Sequence, residues 1–253
     1  MISTMRPIGP KIAKICVPIA VYIFVWQLLS MLVGSSLLLP SPWETLLSIG
    51  TILGSRSGWN AIGMTLLRIV KGYFLGCVTG IFLAVLTSHF SAADWLLKPL
   101  RSIIKTTPIT SFALILLVSV VSGIVPIVVA IIVVVPMIWQ STEEAIRNRD
   151  SRLMEMSKIY LSPWKKLRYV TLPQVLPTFF ATASVALGFA WKAVITAEIL
   201  SLPRFGIGRE MQSIKSYMET SELFAWTFLV IVVSVLMEKV FKMVLKKAGQ
   251  RYD

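Results

Sequence analysis

Few residues in this chain carry side chains able to do chemistry, and they do not converge. There is one histidine, His89, and two cysteines, Cys16 and Cys77, both inside apolar stretches. Buried cysteines of this kind behave as small hydrophobes, and no Cys/His spacing suited to a metal or a disulfide framework is present. Glu143 and Glu144 stand beside Arg147 and Arg149 without a nucleophile or metal set, so local ion pairing is their expected role rather than acid–base catalysis. No Gly-x-x-x-x-Gly-Lys-Ser/Thr sequence exists to cradle a triphosphate.

Two groups of polar residues remain, and both interrupt apolar sequence. Thr106, Thr107, Thr110 and Ser111 surround Pro108. A proline in a spanning helix frees a carbonyl that neighbouring hydroxyls can satisfy, so this cluster is either a local repair or a kinked polar stretch of a path. Lys192 and Glu198, with Trp191 alongside, lie in a run that is otherwise apolar from Leu172 to Leu200. Facing lipid, each charge would cost about 2.5 to 3.5 kcal/mol on insertion scales, so each must face protein, water or an interface. Six residues apart, they are not placed for a direct intrahelical pair. Lys192 either lines a path, where it suits an anion, or belongs to a buried hydrogen-bond network. Glu198, nearer the end of the run, is expected to gate or to support.

The elements that position these residues are membrane helices. Of 253 residues, 56% are hydrophobic and 15% charged, and the mean hydropathy is +0.78. A soluble domain of this size carries roughly 25% charged residues, which excludes an ordinary soluble enzyme. Residues 106–142 hold no charge at all, whereas one crossing needs about 20. Ser122-Gly123 and Pro126 divide that stretch into a hairpin of two crossings. The reading is an all-α polytopic membrane protein of six transmembrane helices, spanning about Ile15–Val33, Val70–His89, Ile103–Val121, Val125–Ser141, Leu172–Leu200 and Leu223–Val244. Pro42-Trp43-Glu44 opens a shorter interfacial helix. Gly72, Gly76 and Gly80 form a small-xxx-small ridge that admits a close helix neighbour. Trp43, Trp59, Trp95, Trp139 and Trp226 fall at span ends, where amphipathic rings prefer to sit.

The formal charge of +13 is explained by topology rather than by nucleic acid. With the N-terminus inside, 18 of 25 basic residues fall on the cytoplasmic side. Residues 1–14 are then a cytoplasmic N-terminal segment, 15–245 a single permease domain, and 246–253 a cytoplasmic tail. The most charged segment, about 143–171, is a cytoplasmic loop. In it Asp150 or Ser151 caps a short helix on which Leu153, Met156 and Ile159 share a face, and Pro163 ends it. That face either packs under its own bundle or enters a groove on a cytoplasmic partner.

From Met154 to Pro177 the sequence resembles the cytoplasmic loop motif of binding-protein-dependent ABC importer permeases: Glu-Ala-Ala, three residues, Gly, nine residues, Ile-x-Leu-Pro. Anchored on Leu172-Pro173, Val170 takes the Ile position and Tyr160 the Gly position, while Met154, Glu155 and Met156 stand in the triplet, so the front half departs from the motif. Leu39-Pro40-Ser41-Pro42, Thr107-Pro108-Ile109, Trp191-Lys192-Ala193 and Ala197-Glu198 resemble the nitrate, sulfonate and taurine group, and the likeness covers about residues 15 to 245.

The resemblance implies a type I importer fold and a bacterial inner-membrane location. It also implies a second permease subunit in a homodimer, two ATPase subunits that use ATP and Mg, an extracytoplasmic solute-binding protein, and no cofactor on this chain. Met154, Glu155, Met156, Ser157, Ile159, Tyr160, Leu161, Ser162 and Pro163 would then couple to the ATPase. Thr107, Pro108, Thr110, Ser111, Trp191, Lys192 and Glu198 are the candidates for the translocation path. The competing class is a secondary transporter driven by an ion gradient, kept open by Lys192 and Glu198, although no internal repeat is evident.

Overall fold

The computed structural model describes residues 9–249, and among them there is no β-strand. The first and last residues of the expected terminal segments, 1–8 and 250–253, lie outside the described residues. The helices are α1 (Gly9–Val33), α2 (Pro42–Gly54), α3 (Arg56–His89), α4 (Ser91–Thr106), α5 (Ile109–Ser119), α6 (Val125–Arg147), α7 (Ser151–Tyr160), α8 (Pro163–Lys166), α9 (Leu172–Ser201), α10 (Ile207–Tyr217) and α11 (Thr220–Gly249). A π-helical turn, Leu167–Thr171, joins α8 to α9.

The centre of the fold is the packing of α3, α6 and α9. Lipid offers helices no hydrophobic reason to associate, so close approach must come from small residues. The glycine ridge supplies it. A Cβ on Gly72 would stand 2.5 Å from Ala130 Cβ, on Gly76 2.7 Å from Val134 Cβ, and on Gly80 2.9 Å from Ile138 Cβ. Ala130, Val134 and Ile138 are themselves spaced by four on α6 and fully buried, so two four-residue rows interlock over two turns. On the other side of α3, Tyr73 donates its hydroxyl to Ala183 O of α9 at 2.9 Å.

By length and composition α3, α6 and the continuous stretch Pro163–Ser201 can cross a membrane, and α4 with α5 makes a fourth crossing if taken as one bent span. The expected third crossing, Ile103–Val121, is therefore not one helix. The chain turns by 102° between α4 and α5, where Thr107 and Pro108 adopt extended backbone. Proline disfavours helical geometry in the residue before it, which is the local cause of the break. α5 has 11 residues, about 16 Å of helix, which by itself is too short to cross. α1 contributes the apolar segment Val17–Val33, and α11 extends over 30 residues.

Two further differences from the sequence reading have simple causes. α3 begins at Arg56, well before Val70, so Arg68 is inside a helix rather than in a loop. Trp139 and Trp226 are core residues, 1% and 2% exposed, rather than interfacial ones. The Trp139 indole N–H finds Thr87 Oγ1 at 2.9 Å, which satisfies its polar end inside the protein. Trp43, Trp59 and Trp95 do lie exposed.

Around α1 the chain folds back. Gly34 has φ of +64°, and the segment after it returns so that Trp26 Nε1 donates to Pro40 O and Ser30 Oγ to Leu39 O, each at 3.0 Å. Ser41 then opens α2 with a capping box: its hydroxyl accepts from Glu44 N–H, and the Glu44 carboxylate accepts from Ser41 N–H.

Candidate functional site

The segment between α6 and α9 is built as a rigid outrigger. Asp150 caps α7, its carboxylate accepting from the N–H of Arg152 (2.8 Å) and Leu153 (3.4 Å). Ser157 turns inward and is buried, whereas Leu153, Met156, Ile159 and Tyr160 are 49%, 59%, 77% and 78% exposed. Met154 is half-buried and Glu155 exposed. The apolar stripe of α7 thus points away from its own bundle. Leu161 and Ser162 take extended backbone and Pro163 starts α8, where its missing N–H is one the helix start would leave unpaired anyway.

Continuity from α8 into α9 depends on the π-helical turn. Pro173 cannot donate and its ring crowds the preceding turn, so a regular α ladder fails there. The chain answers by widening one turn: Leu172 N–H reaches back five residues to Leu167 O. Gln174, in the first turn of α9, accepts from Asp150 N–H at 2.8 Å and donates to Val170 O at 2.9 Å. The start of α7 is thereby tied to the start of α9.

At the α4 side, polar contacts fasten the amphipathic α4 to α6. Arg101 pairs with Glu143 and lies 4.9 Å from the Trp139 ring centroid. Arg147 reaches Glu143 at 2.7 Å and Asp94 at 2.9 Å. Lys105 donates to Gln140, whose amide donates to Glu144. Of the expected local pairs, Glu143 with Arg147 forms; Arg149 donates to Ile146 O instead.

The path candidates separate into two groups. Thr107, Pro108, Thr110 and Ser111 stand at the α4–α5 bend, Pro108 and Thr110 exposed and Thr107 and Ser111 half-buried. Thr106 and Thr107 return hydroxyl hydrogen bonds to Ile103 O, which also accepts the Thr107 backbone N–H, so these two hydroxyls are engaged by the last turn of α4. A cavity of 230 Å³ opens at the bend, its lining including Lys105, Thr107, Phe112 and Phe189. Lys192 is exposed one turn further along α9, its ammonium 5.9 Å from the Phe189 ring centroid. Lys192 takes part in no ion pair among the described residues. Trp191 and Glu198, 2% and 0% exposed, are inside the protein, and Glu198 is paired with Arg68. Arg68 had no signal as an isolated residue; its register with Gly72, Gly76 and Gly80 is what marks it as buried. A larger cavity of 690 Å³ between α1, α2 and α11 is lined almost wholly by apolar side chains, with no polar groups converging on it.

Apolar helices packed by a glycine ridge, a broken helix opening a polar bend, and an amphipathic helix presented outward on a stiff support define a transport permease of the membrane. The family comparison agrees: residues 76–248 match the model of the binding-protein-dependent transport system inner membrane component, and the chain belongs to that family. It is an ABC importer permease subunit.

A protein named as an aliphatic sulfonates transport permease, SsuC of Bacillus subtilis (strain 168), is 24% identical over 90% of this chain and 83% of its own length. The bicarbonate transport system permease protein CmpB of Synechocystis sp. is 26% identical over 78% of this chain and 65% of its own. The taurine transport system permease protein TauC of Escherichia coli (strain K12) is 22% identical over 92% and 87%. Among solved structures, a chain of the MetNI methionine ABC transporter in inward-facing conformations superposes with a TM-score of 0.55, covering 78% of this chain and 95% of that one at 18% identity, which establishes the shared fold.

Proposed function

We propose that this chain works in the bacterial inner membrane as one of two permease subunits, paired with a second copy of itself. Two cytoplasmic ATPase subunits and an extracytoplasmic solute-binding protein complete the assembly. The observation that carries this reading is the exposed apolar stripe of α7, Leu153, Met156, Ile159 and Tyr160, on a helix tied to α9 at its base. An amphipathic helix held outward in this way fits a hydrophobic groove of a partner. Met154, Glu155, Ser157, Leu161, Ser162 and Pro163 complete the docking segment. ATP and Mg are used by the partner, and this chain supplies the lever: closure of the ATPase dimer moves α7, and with it α9, as a rigid body.

The orientation that fits this assembly puts α7 and both termini in the cytoplasm, in line with the distribution of basic residues. Residues 15–245 then form the permease domain, flanked by cytoplasmic segments 1–14 and 246–253. The solute is a nitrate-, sulfonate- or taurine-like anion or a related small organic molecule. Lys192, exposed on a membrane helix without an acidic partner, supports the anion, as do the sulfonate and bicarbonate named for the relatives. Thr107, Pro108, Thr110 and Ser111 line the same path, with Trp191 and Glu198 standing behind it.

Co-purification tests the reading. The ATPase subunit is retained in detergent by the wild-type chain and released by the double substitution Tyr160→Glu/Leu161→Glu, which puts charge into an apolar contact. Solute movement by this chain reconstituted without any ATPase would overturn the proposal in favour of an ion-driven carrier.

A further inference from the structure

The α10 end of the molecule holds a buried polar cluster that stands behind the path and apart from the lever. Glu198 of α9 is fully buried. Its Oε1 accepts from Arg68 Nη1 at 2.6 Å, and its Oε2 from the Thr65 hydroxyl at 2.8 Å and from Gly208 N–H at 3.1 Å. Arg68 Nη1 also donates to Phe205 O at 2.6 Å, and Thr65 Oγ1 accepts from Ile207 N–H at 2.9 Å. Three elements meet here: α3 through Thr65 and Arg68, α9 through Glu198, and the start of α10 through Phe205, Ile207 and Gly208.

The arrangement has one consistent purpose. A helix start leaves N–H groups without partners, and these are ordinarily met by a residue just ahead of the helix. Ahead of α10 stands Gly206, which has no side chain, and the first two N–H groups of α10 are instead met by Thr65 and Glu198 from other helices. The glycines are required for the approach. A Cβ on Gly206 would lie 2.7 Å from Glu198 Cδ, and one on Gly208 2.5 Å from Ile195 O. Arg68 pairs with the Glu198 carboxyl group and grips the loop carbonyl at once, so the direction of α10 is dictated by α3 and α9. Near its end α10 leaves Lys215 and Tyr217 exposed. Lys192 lies six residues before Glu198, about 9 Å along the same helix.

We propose that Thr65, Arg68 and Glu198 are positioning residues for the import cycle: they clamp α10 onto α9 so that contact between the loaded solute-binding protein and α10 reaches the stretch of α9 bearing Lys192. The proposal rests on the importer reading above. Two variants test it in the assembled transporter, reconstituted with its ATPase and binding protein. Thr65→Val keeps the buried shape and removes only the bridging hydroxyl. Arg68→Met/Glu198→Leu removes pair and cap together, and apolar replacement of a whole buried ion pair is commonly tolerated.

The expected result is normal assembly and unchanged basal ATP hydrolysis, with the stimulation by loaded binding protein lowered at least about fivefold in the double variant and by a smaller factor in Thr65→Val. A stimulation ratio unchanged in the double variant overturns the proposal. So does a fall of basal and stimulated rates in equal proportion in Thr65→Val, which is what a merely structural role would give. Should the double variant not assemble, Thr65→Val decides alone. Failure of the importer reading is distinguishable, since the wild-type assembly would then show no stimulation at all.

Discussion

Gln174 accepts a hydrogen bond from the backbone N–H of Asp150 at 2.8 Å, which makes the first turn of α9 the anchor for the residue that caps α7. Asp150 sits at the hinge between α6 and α7, where a lever could otherwise flex. Replacing Gln174 by Leu keeps the side-chain size and removes the tie. A net hydrogen bond contributes about 1 kcal/mol, which corresponds to about a fivefold change in the population of the rigid arrangement. Gln174→Leu should therefore keep the ATPase bound while lowering solute moved per ATP hydrolysed by about that factor in proteoliposomes. An unaltered ratio would mean that α7 is held firm by the π-helical turn and prolines alone.

The glycine ridge makes a prediction with its own control. On Gly76 even a methyl group would stand 2.7 Å from Val134 Cβ and 2.9 Å from Val134 Cγ1, whereas a Cβ on Gly63 of the same helix meets nothing within 4 Å. Gly76→Ala should cost about 1 to 3 kcal/mol through overpacking. Gly63→Ala should be neutral or stabilising by about 0.5 to 1 kcal/mol, because alanine loses less freedom in a helix. Thermal unfolding in one detergent compares the two directly, and equal effects would contradict the packing of α3 on α6.

What could be read in the sequence followed from local rules. The glycine register, the α7 cap and the extent of α9 each depend on residues near one another, and each agrees with the structure: Gly72, Gly76 and Gly80 receive α6, Asp150 caps, and Leu172–Ser201 is one helix. The break at Thr107-Pro108 was visible as a proline, but not its angle, since hydropathy is the same for a straight span and a bent one. The partner of Glu198 was hidden for a different reason. Arg68 is 130 positions away, and a search for charges within one helix cannot find it. Trp139 and Trp226 lie in the core rather than at span ends because tryptophan suits both places and tertiary packing decides between them; Trp139 gives its N–H to Thr87, whereas Trp226 is 2% exposed with no acceptor for its N–H among the described residues.

Lys192 separates a path residue from a structural one. It has no carboxylate partner and leans on the Phe189 ring, so truncation to Met leaves no buried charge behind. Lys192→Met should preserve ATPase binding and thermal stability while reducing uptake of an anionic solute tenfold or more, an effect of about 1.4 kcal/mol in the barrier. Lys192→Arg, which keeps the charge, should retain most of the uptake. Loss of the assembled complex in Lys192→Met would instead assign the residue to folding.

The two buried carboxylates should respond unequally to loss of their arginines. Glu143 is shared between Arg101 and Arg147, so Arg101→Met leaves it a cation at 2.7 Å, together with the loss of the contact over Trp139. Glu198 has Arg68 as its one ion-pair partner among the described residues, and Arg68→Met leaves a charge that is fully buried and held by neutral donors alone. Stranding a buried charge in that way costs about 3 to 5 kcal/mol, whereas the half-exposed Arg147 can still offset much of the cost at Glu143. Thermal unfolding of the two single variants should therefore rank Arg68→Met as the more damaging by at least about 2 kcal/mol. Adding Glu198→Leu to Arg68→Met should recover most of that loss, because the stranded charge is removed with it. If Arg101→Met proved as costly as Arg68→Met, the bridge from Arg147 to Glu143 would not be carrying charge compensation, and the fastening of α4 to α6 would rest on Arg101 alone.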